Sequence, residues 1–161
     1  FGISICSYGY CFALNSDAVL KNVKYIEVGE KALNEVNMFS MDGLGKLETL
    51  IVGVNSLNGT MTADCHFTIQ NCPELKTVDV KGYSFMNYVY VVIKDCNGLQ
   101  SILMGNATFQ SVQSVEMERL PQLGSITLGW YSMNGCNEDY RKSIEEEPYN
   151  YKNTLSMKSM S

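Results

Sequence analysis

The sequence predicts a mainly β protein, a parallel β-solenoid of about five to six coils with two short strands per coil. Three observations carry this. Five 11-residue segments begin at Val23, Leu47, Leu75, Leu99 and Leu123: VKYIEVGEKAL, LETLIVGVNSL, LKTVDVKGYSF, LQSILMGNATF and LGSITLGWYSM. They start 24, 28, 24 and 24 residues apart, and positions 1, 4, 6 and 11 are apolar in all five. A second motif precedes the last four at a fixed distance: FSMDGLGKL, FTIQNCPEL, VVIKDCNGL and VEMERLPQL, starting at Phe39, Phe67, Val91 and Val115. Self-similarity at such a period is the mark of a stacked repeat.

Each element follows from local pattern. Apolar residues at alternate positions, as in Phe67 and Ile69 or Val91 and Ile93, give a strand with one buried face. The L-x-x-L-x-L piece gives the second strand. Gly, Asn, Asp or Pro marks the turns between them. No stretch of the repeat region sustains the i, i+3, i+4, i+7 spacing of a helix. Alternation places Leu50, Val52, Val78, Val80, Ile102, Met104, Ile126 and Leu128 inside, together with Phe67, Ile69, Val91 and Ile93 on the second sheet. The division is an irregular start over 1–22, repeats over 23–133, an acidic insertion over 134–152, and the start of a further repeat over 153–161.

Composition agrees with a folded chain. Of 161 residues, 45% are hydrophobic and 18% charged, the reverse of a disordered segment. Twelve Lys and Arg against 17 Asp and Glu leave a net charge of −5. That balance argues against a nucleic-acid partner, which needs a basic face. No apolar run reaches the 18 residues of a membrane span, so membrane insertion is not expected. Six Cys without a C-x-x-C pair, and the single His66, do not make a four-ligand zinc site, and no cofactor motif is present.

The L-x-x-L-x-L-x-x-N-x-L segment resembles the leucine-rich repeat. Asn55 occupies the asparagine position, where the other copies have Lys31, Tyr83, Ala107 and Tyr131, so the asparagine ladder of that family is incomplete. The whole unit, F-x-I-x-N-C-P-x-L-x-S/T-I-x-L-G-x-x-S-F, is similar to divergent leucine-rich repeats in long arrays of unicellular eukaryotes. The resemblance covers Val23 to Met133, and Leu155-Ser156-Met157 looks like one more F-x-I strand. It implies an architecture rather than an activity.

The outward residues of the L-x-x-L-x-L strands are the candidate binding face. One column is Tyr25, Thr49, Thr77, Ser101 and Ser125. The other is Glu27, Ile51, Asp79, Leu103 and Thr127. A single hydroxyl column is not an ice-binding face, which wants two threonine columns; it suits an exposed sheet. Regular stacking with variable side chains suits recognition of a protein partner, without catalysis. The alternative is a structural spacer or self-associating scaffold in a longer array. Cys65 and His66 are adjacent on a strand and point to opposite faces, so they do not form a nucleophile–base pair. Cys72 and Cys96 share one inward column; their parallel Cβ vectors disfavour a disulfide, and they read as buried thiols.

Period breaks mark insertions. Four extra residues fall within Asn58 to His66, expected to loop out without core contacts. A longer insertion carries Glu145-Glu146-Glu147 and Tyr140, Tyr149 and Tyr151, expected to be a solvated, protease-sensitive loop. Phe1 to Leu20 holds one charge, Asp17, and makes a poor polar cap. End-to-end self-association through Ile3 and Ile5, or continuation into further repeats, is the expectation at the ends.

Overall fold

The computed structural model describes residues 11–15, 20–61 and 65–134, and the backbone of Thr154–Lys158. The expectations for Ile3 and Ile5 and for nearly all of the acidic insertion lie outside the described residues. Eleven strands and no helix are present among the described residues. They are β1 (Cys11–Asn15), β2 (Tyr25–Val28), β3 (Met38–Asp42), β4 (Thr49–Val52), β5 (Cys65–Gln70), β6 (Thr77–Val80), β7 (Tyr88–Lys94), β8 (Ser101–Met104), β9 (Ser114–Glu118), β10 (Ser125–Leu128) and β11 (Thr154–Lys158). Odd strands form one parallel sheet, β1-β3-β5-β7-β9-β11, and even strands the other, β2-β4-β6-β8-β10. The chain is a parallel β-solenoid of about five turns.

The register is the sequence period made physical. Thr49 pairs with Thr77, Thr77 with Ser101, and Ser101 with Ser125. On the other sheet Phe39 pairs with Phe67, Phe67 with Val91, and Val91 with Val115. Leu155 continues that column beside Val115. The start is more regular than its sequence suggests: β1 places Phe12 beside Phe39.

The core lies between the sheets. Leu50, Val52, Val78, Val80, Ile102, Met104, Phe67, Ile69, Val91 and Ile93 are buried as expected. Ile126 and Leu128 are not, being 36% and 48% exposed. They sit in the inward columns, but β10 ends its sheet, and no sixth strand among the described residues covers them. Inside, Phe12, Phe39 and Phe67 stack face to face at 5.4 Å spacings, and Phe85 stacks on Phe109 at 4.8 Å. The two stacks meet edge to face, Phe67 lying 5.0 Å from Phe85 and 5.1 Å from Phe109. Both geometries suit the quadrupole of an aromatic ring.

Cys72 and Cys96 carry buried thiols, not a disulfide, each donating to a carbonyl two residues back, Gln70 and Lys94, at 3.3 Å. The neighbouring Cys72 thiol and burial push the Cys96 thiol above its usual range.

The insertion before β5 is partly built into the body, contrary to the expectation of a loop without core contacts. Asn37 Oδ1 accepts from the Thr60 backbone N–H at 2.7 Å, the Thr60 hydroxyl at 3.2 Å and the Cys65 thiol at 3.4 Å. The Asn87 side chain donates to the Gly59 carbonyl at 3.1 Å. Asn37, with Asn34 accepting from the Asn58 N–H at 3.3 Å, therefore ties the insertion to the previous coil. Asn37→Ala strands these donors and is expected to destabilise the fold by about 1–3 kcal/mol, read from a denaturant midpoint.

Candidate functional site

The face of the even-numbered sheet is set by strand alternation. Tyr25, Thr49, Thr77, Ser101 and Ser125 stand in one outward column, and Glu27, Ile51, Asp79, Leu103 and Thr127 in the next. All ten are half-buried or exposed, with Tyr25 and Leu103 among the exposed large side chains. The structure thus brings the whole candidate set onto one surface.

Local contacts on this face are few. The Tyr25 hydroxyl donates to Glu27 at 3.0 Å, and that carboxylate raises the phenol's pKa. Ser101 donates to Thr77 at 3.4 Å, and Lys81 bonds Asp79 at 2.7 Å. Ile51 and Leu103 alternate with Glu27 and Asp79 along one column, so the face presents acid, aliphatic, acid, aliphatic and hydroxyl at successive rungs about 4.8 Å apart.

A charged column flanks it. Glu48 bridges Lys24 at 3.1 Å and Lys76 at 2.7 Å, and Lys46 bonds Glu74 at 2.6 Å. The Lys76 and Lys24 ammonium groups hold the Glu48 carboxyl down at about 2, against an ordinary 4.5. The folded state thus favours the carboxylate. Its stabilisation is complete above the ordinary carboxylate range and is lost as pH falls from about 4.5 towards 2. Glu48 is expected to titrate near 2 by NMR, and Glu48→Gln to flatten the fall of stability with acid over that window. Access of solvent and salt to the two lysine ammonium groups, 70% and 53% exposed, keeps the effect small.

Beneath the adjoining turn runs a hydroxyl ladder that the sequence reading did not single out. Ser56 donates to the Gly29 carbonyl at 2.7 Å, and Ser84 to the Gly53 carbonyl at 2.8 Å. Their oxygens accept from the backbone N–H groups of Ala32 and Ser56, each at 3.1 Å. Thr108 donates to the Gly105 carbonyl at 3.0 Å. Ser56, Ser84 and Thr108 are fully buried. The signal was present as a Ser/Thr column at position 10 of four of the five copies.

Cys65 and His66 lie on opposite faces of β5. The thiol is buried against Asn37, whereas the imidazole is exposed and stacks on Tyr90 at 4.6 Å. No group of three His, Cys, Asp or Glu that could hold a metal occurs among the described residues. No helix among them is long and apolar enough to cross a membrane.

Fold and face together define the class: a repeat-built parallel β-solenoid with turns of about 24 residues. Comparison with protein-family models, with curated proteins and with solved structures finds no match.

Proposed function

We propose that this chain is an interaction module of the leucine-rich-repeat type that presents the even-numbered sheet face to a protein partner and carries out no catalysis. The observation that carries the reading is the contrast between columns. Inward positions are uniformly apolar, whereas outward ones vary from Glu27 through Ile51, Asp79 and Leu103 to Thr127 on a fixed spacing. A rigid frame with variable side chains suits recognition. The family assignment rests on the L-x-x-L-x-L strands and their 24-residue spacing. The buried hydroxyls of Ser56, Ser84 and Thr108 would stand in for the asparagine ladder. A net charge of −5 speaks against nucleic acid as partner.

A photo-crosslinking residue at Asp79 or Leu103, used in an extract of the source cells, is expected to capture one discrete protein. The same residue at Thr68, on the other sheet, should not. Equal capture from both positions would overturn the reading. For a non-catalytic protein, Cys65 should resist alkylation until unfolding; rapid alkylation of the native thiol would reopen an enzymatic role.

The exposure of Ile126 and Leu128 at the β10 edge favours a second reading, a self-associating scaffold or spacer in a longer array. Unpaired strand edges recruit further strands. Sedimentation that shows association at rising concentration, abolished by Leu128→Lys, would support it over the recognition face.

A further inference from the structure

The dipeptide Asn-Gly stands at two places within the described coils, and the fold treats them oppositely. Asn58-Gly59 lies in the insertion before β5, and Asn97-Gly98 at the turn between β7 and β8. A third pair, Asn134-Gly135, runs past the described residues. Asn-Gly is the pair in which a peptide nitrogen most readily attacks the side-chain amide before it. Glycine puts no side chain in the way and leaves its own backbone free to rotate. The attack needs an amide side chain free to swing onto the following nitrogen, and a backbone free to turn with it.

Asn58 has neither freedom. Its Nδ2 donates to Asn55 Oδ1 at 2.7 Å, and its Oδ1 accepts from the Met86 N–H at 3.4 Å. Its backbone N–H donates to Asn34 Oδ1 at 3.3 Å, and its carbonyl accepts from the Asn87 N–H at 3.0 Å. The Gly59 carbonyl is held by the Asn87 side chain. Asn97 is the opposite case. It is exposed, and neither it nor Gly98 makes a hydrogen bond among the described residues. One bond closes the turn around the pair, from the Leu99 N–H to the Cys96 carbonyl at 3.0 Å. Opening that bond frees the backbone at Asn97. The coils on either side place Pro73 and Pro121 at this position, where there is no amide to react. A Cβ on Gly98 would lie 2.6 Å from the Pro73 carbonyl, so the turn keeps the one residue that leaves the attack unhindered.

We propose that Asn97 is a site of spontaneous covalent modification, deamidation to isoaspartate and aspartate, from which the fold shields Asn58. The Gly98 nitrogen, its proton taken by hydroxide, forms a bond to Asn97 Cγ. The C–N bond of the side-chain amide breaks, and ammonia leaves. Water then opens the resulting five-membered succinimide at either carbonyl. Opening at the side-chain carbonyl gives aspartate. Opening at the main-chain carbonyl gives isoaspartate, whose backbone runs through Cγ and is lengthened by the methylene. No oxidant or cofactor takes part. Cys96 and Leu99, on either side, are fully buried. A lengthened backbone between them strains the coil that carries Leu103 of the outward face. The step draws only on Asn97 and Gly98, so it stands or falls independently of what that face binds.

The test ages the folded protein at mildly alkaline pH and then digests it. Each peptide is read by mass and as a methyl acceptor for an L-isoaspartyl methyltransferase with S-adenosylmethionine. The Asn97 peptide is expected to gain isoaspartate. The Asn58 peptide should do so at least about tenfold more slowly, because several hydrogen bonds must break there first. In denaturant the two should react at similar rates, since both are Asn-Gly. Asn97→Pro installs the residue of the coils on either side and should abolish the signal from that peptide. Should it lose the native far-UV spectrum, Asn97→Gln decides in its place, with the same loss expected. Equal rates at Asn58 and Asn97 in the folded protein, or an Asn97 that reacts only in denaturant, would overturn the proposal.

Discussion

Phe67→Ala is expected to destabilise the solenoid by about 3–5 kcal/mol, read as a shift in denaturant midpoint at unchanged slope. Phe67 is fully buried, stacks on Phe39 at 5.4 Å and meets Phe85 and Phe109 edge-on. With Phe39, which also meets Phe85 edge-on at 5.4 Å, it joins the two aromatic stacks. Its removal deletes apolar burial and leaves a void that strands pinned above and below cannot close. Thr77→Ala, on the outward face, should stay within about 0.5 kcal/mol. Comparable losses at both positions would contradict the assignment of inside and outside.

Gly105→Ala and Gly29→Ala should differ in sign although they occupy one repeat position. A Cβ on Gly105 would collide with the backbone of Gly82 and Lys81, and at Gly53 and Gly129 the same atom would meet the preceding coil at 2.7 Å and 2.6 Å. Backbone cannot swing aside as a side chain can, so two coils must part locally. About 1–3 kcal/mol of destabilisation is expected, as for other overpacked sites. A Cβ on Gly29 meets nothing within 4 Å. That replacement should stabilise by about 0.4–1 kcal/mol, through lost freedom of the unfolded chain. Thermal unfolding of the two variants side by side checks both signs.

The glycine column shows why so much of the fold was legible. A stacked repeat writes each structural demand several times, so Leu50, Val78 and Ile102 reveal an inward column that no single copy could. The same logic failed where the stack ends. Ile126 and Leu128 obey the pattern, but burial depends on a neighbouring coil as well as on direction. β1 was hidden for a related reason: Phe12 precedes its partner Phe39 by 27 residues, and the segment from Val23 follows Phe12 by 11 residues where the other copies follow their preceding strand motif by eight.

The candidate face was readable because strand alternation leaves one choice of side. The hydroxyl ladder was not, since Ser and Thr in a turn ordinarily signal solvent. Burial of Ser56, Ser84 and Thr108 depends on how the third side of the coil folds inward. Nor did Lys31, Tyr83 or Ala107, at the turn after the even-numbered strands, announce their left-handed backbones, with φ of 54°, 59° and 55°. Local propensity opposes that conformation there, and inter-coil hydrogen bonding imposes it. Asn37 was invisible for want of any repeat counterpart, as its partners belong to an insertion found in one coil only.

Parallel stacking in a single register underlies the core and the face alike, and inter-strand NOEs test it most directly. Amide-to-Hα contacts are expected to link the neighbourhoods of Thr49, Thr77, Ser101 and Ser125 in one unbroken series, and those of Phe39, Phe67, Val91 and Val115 in another. A register displaced by one residue would turn Asp79 inward and Val80 outward. That shift, or medium-range contacts of helical spacing over Val91–Ile93, would contradict the solenoid and everything built on it.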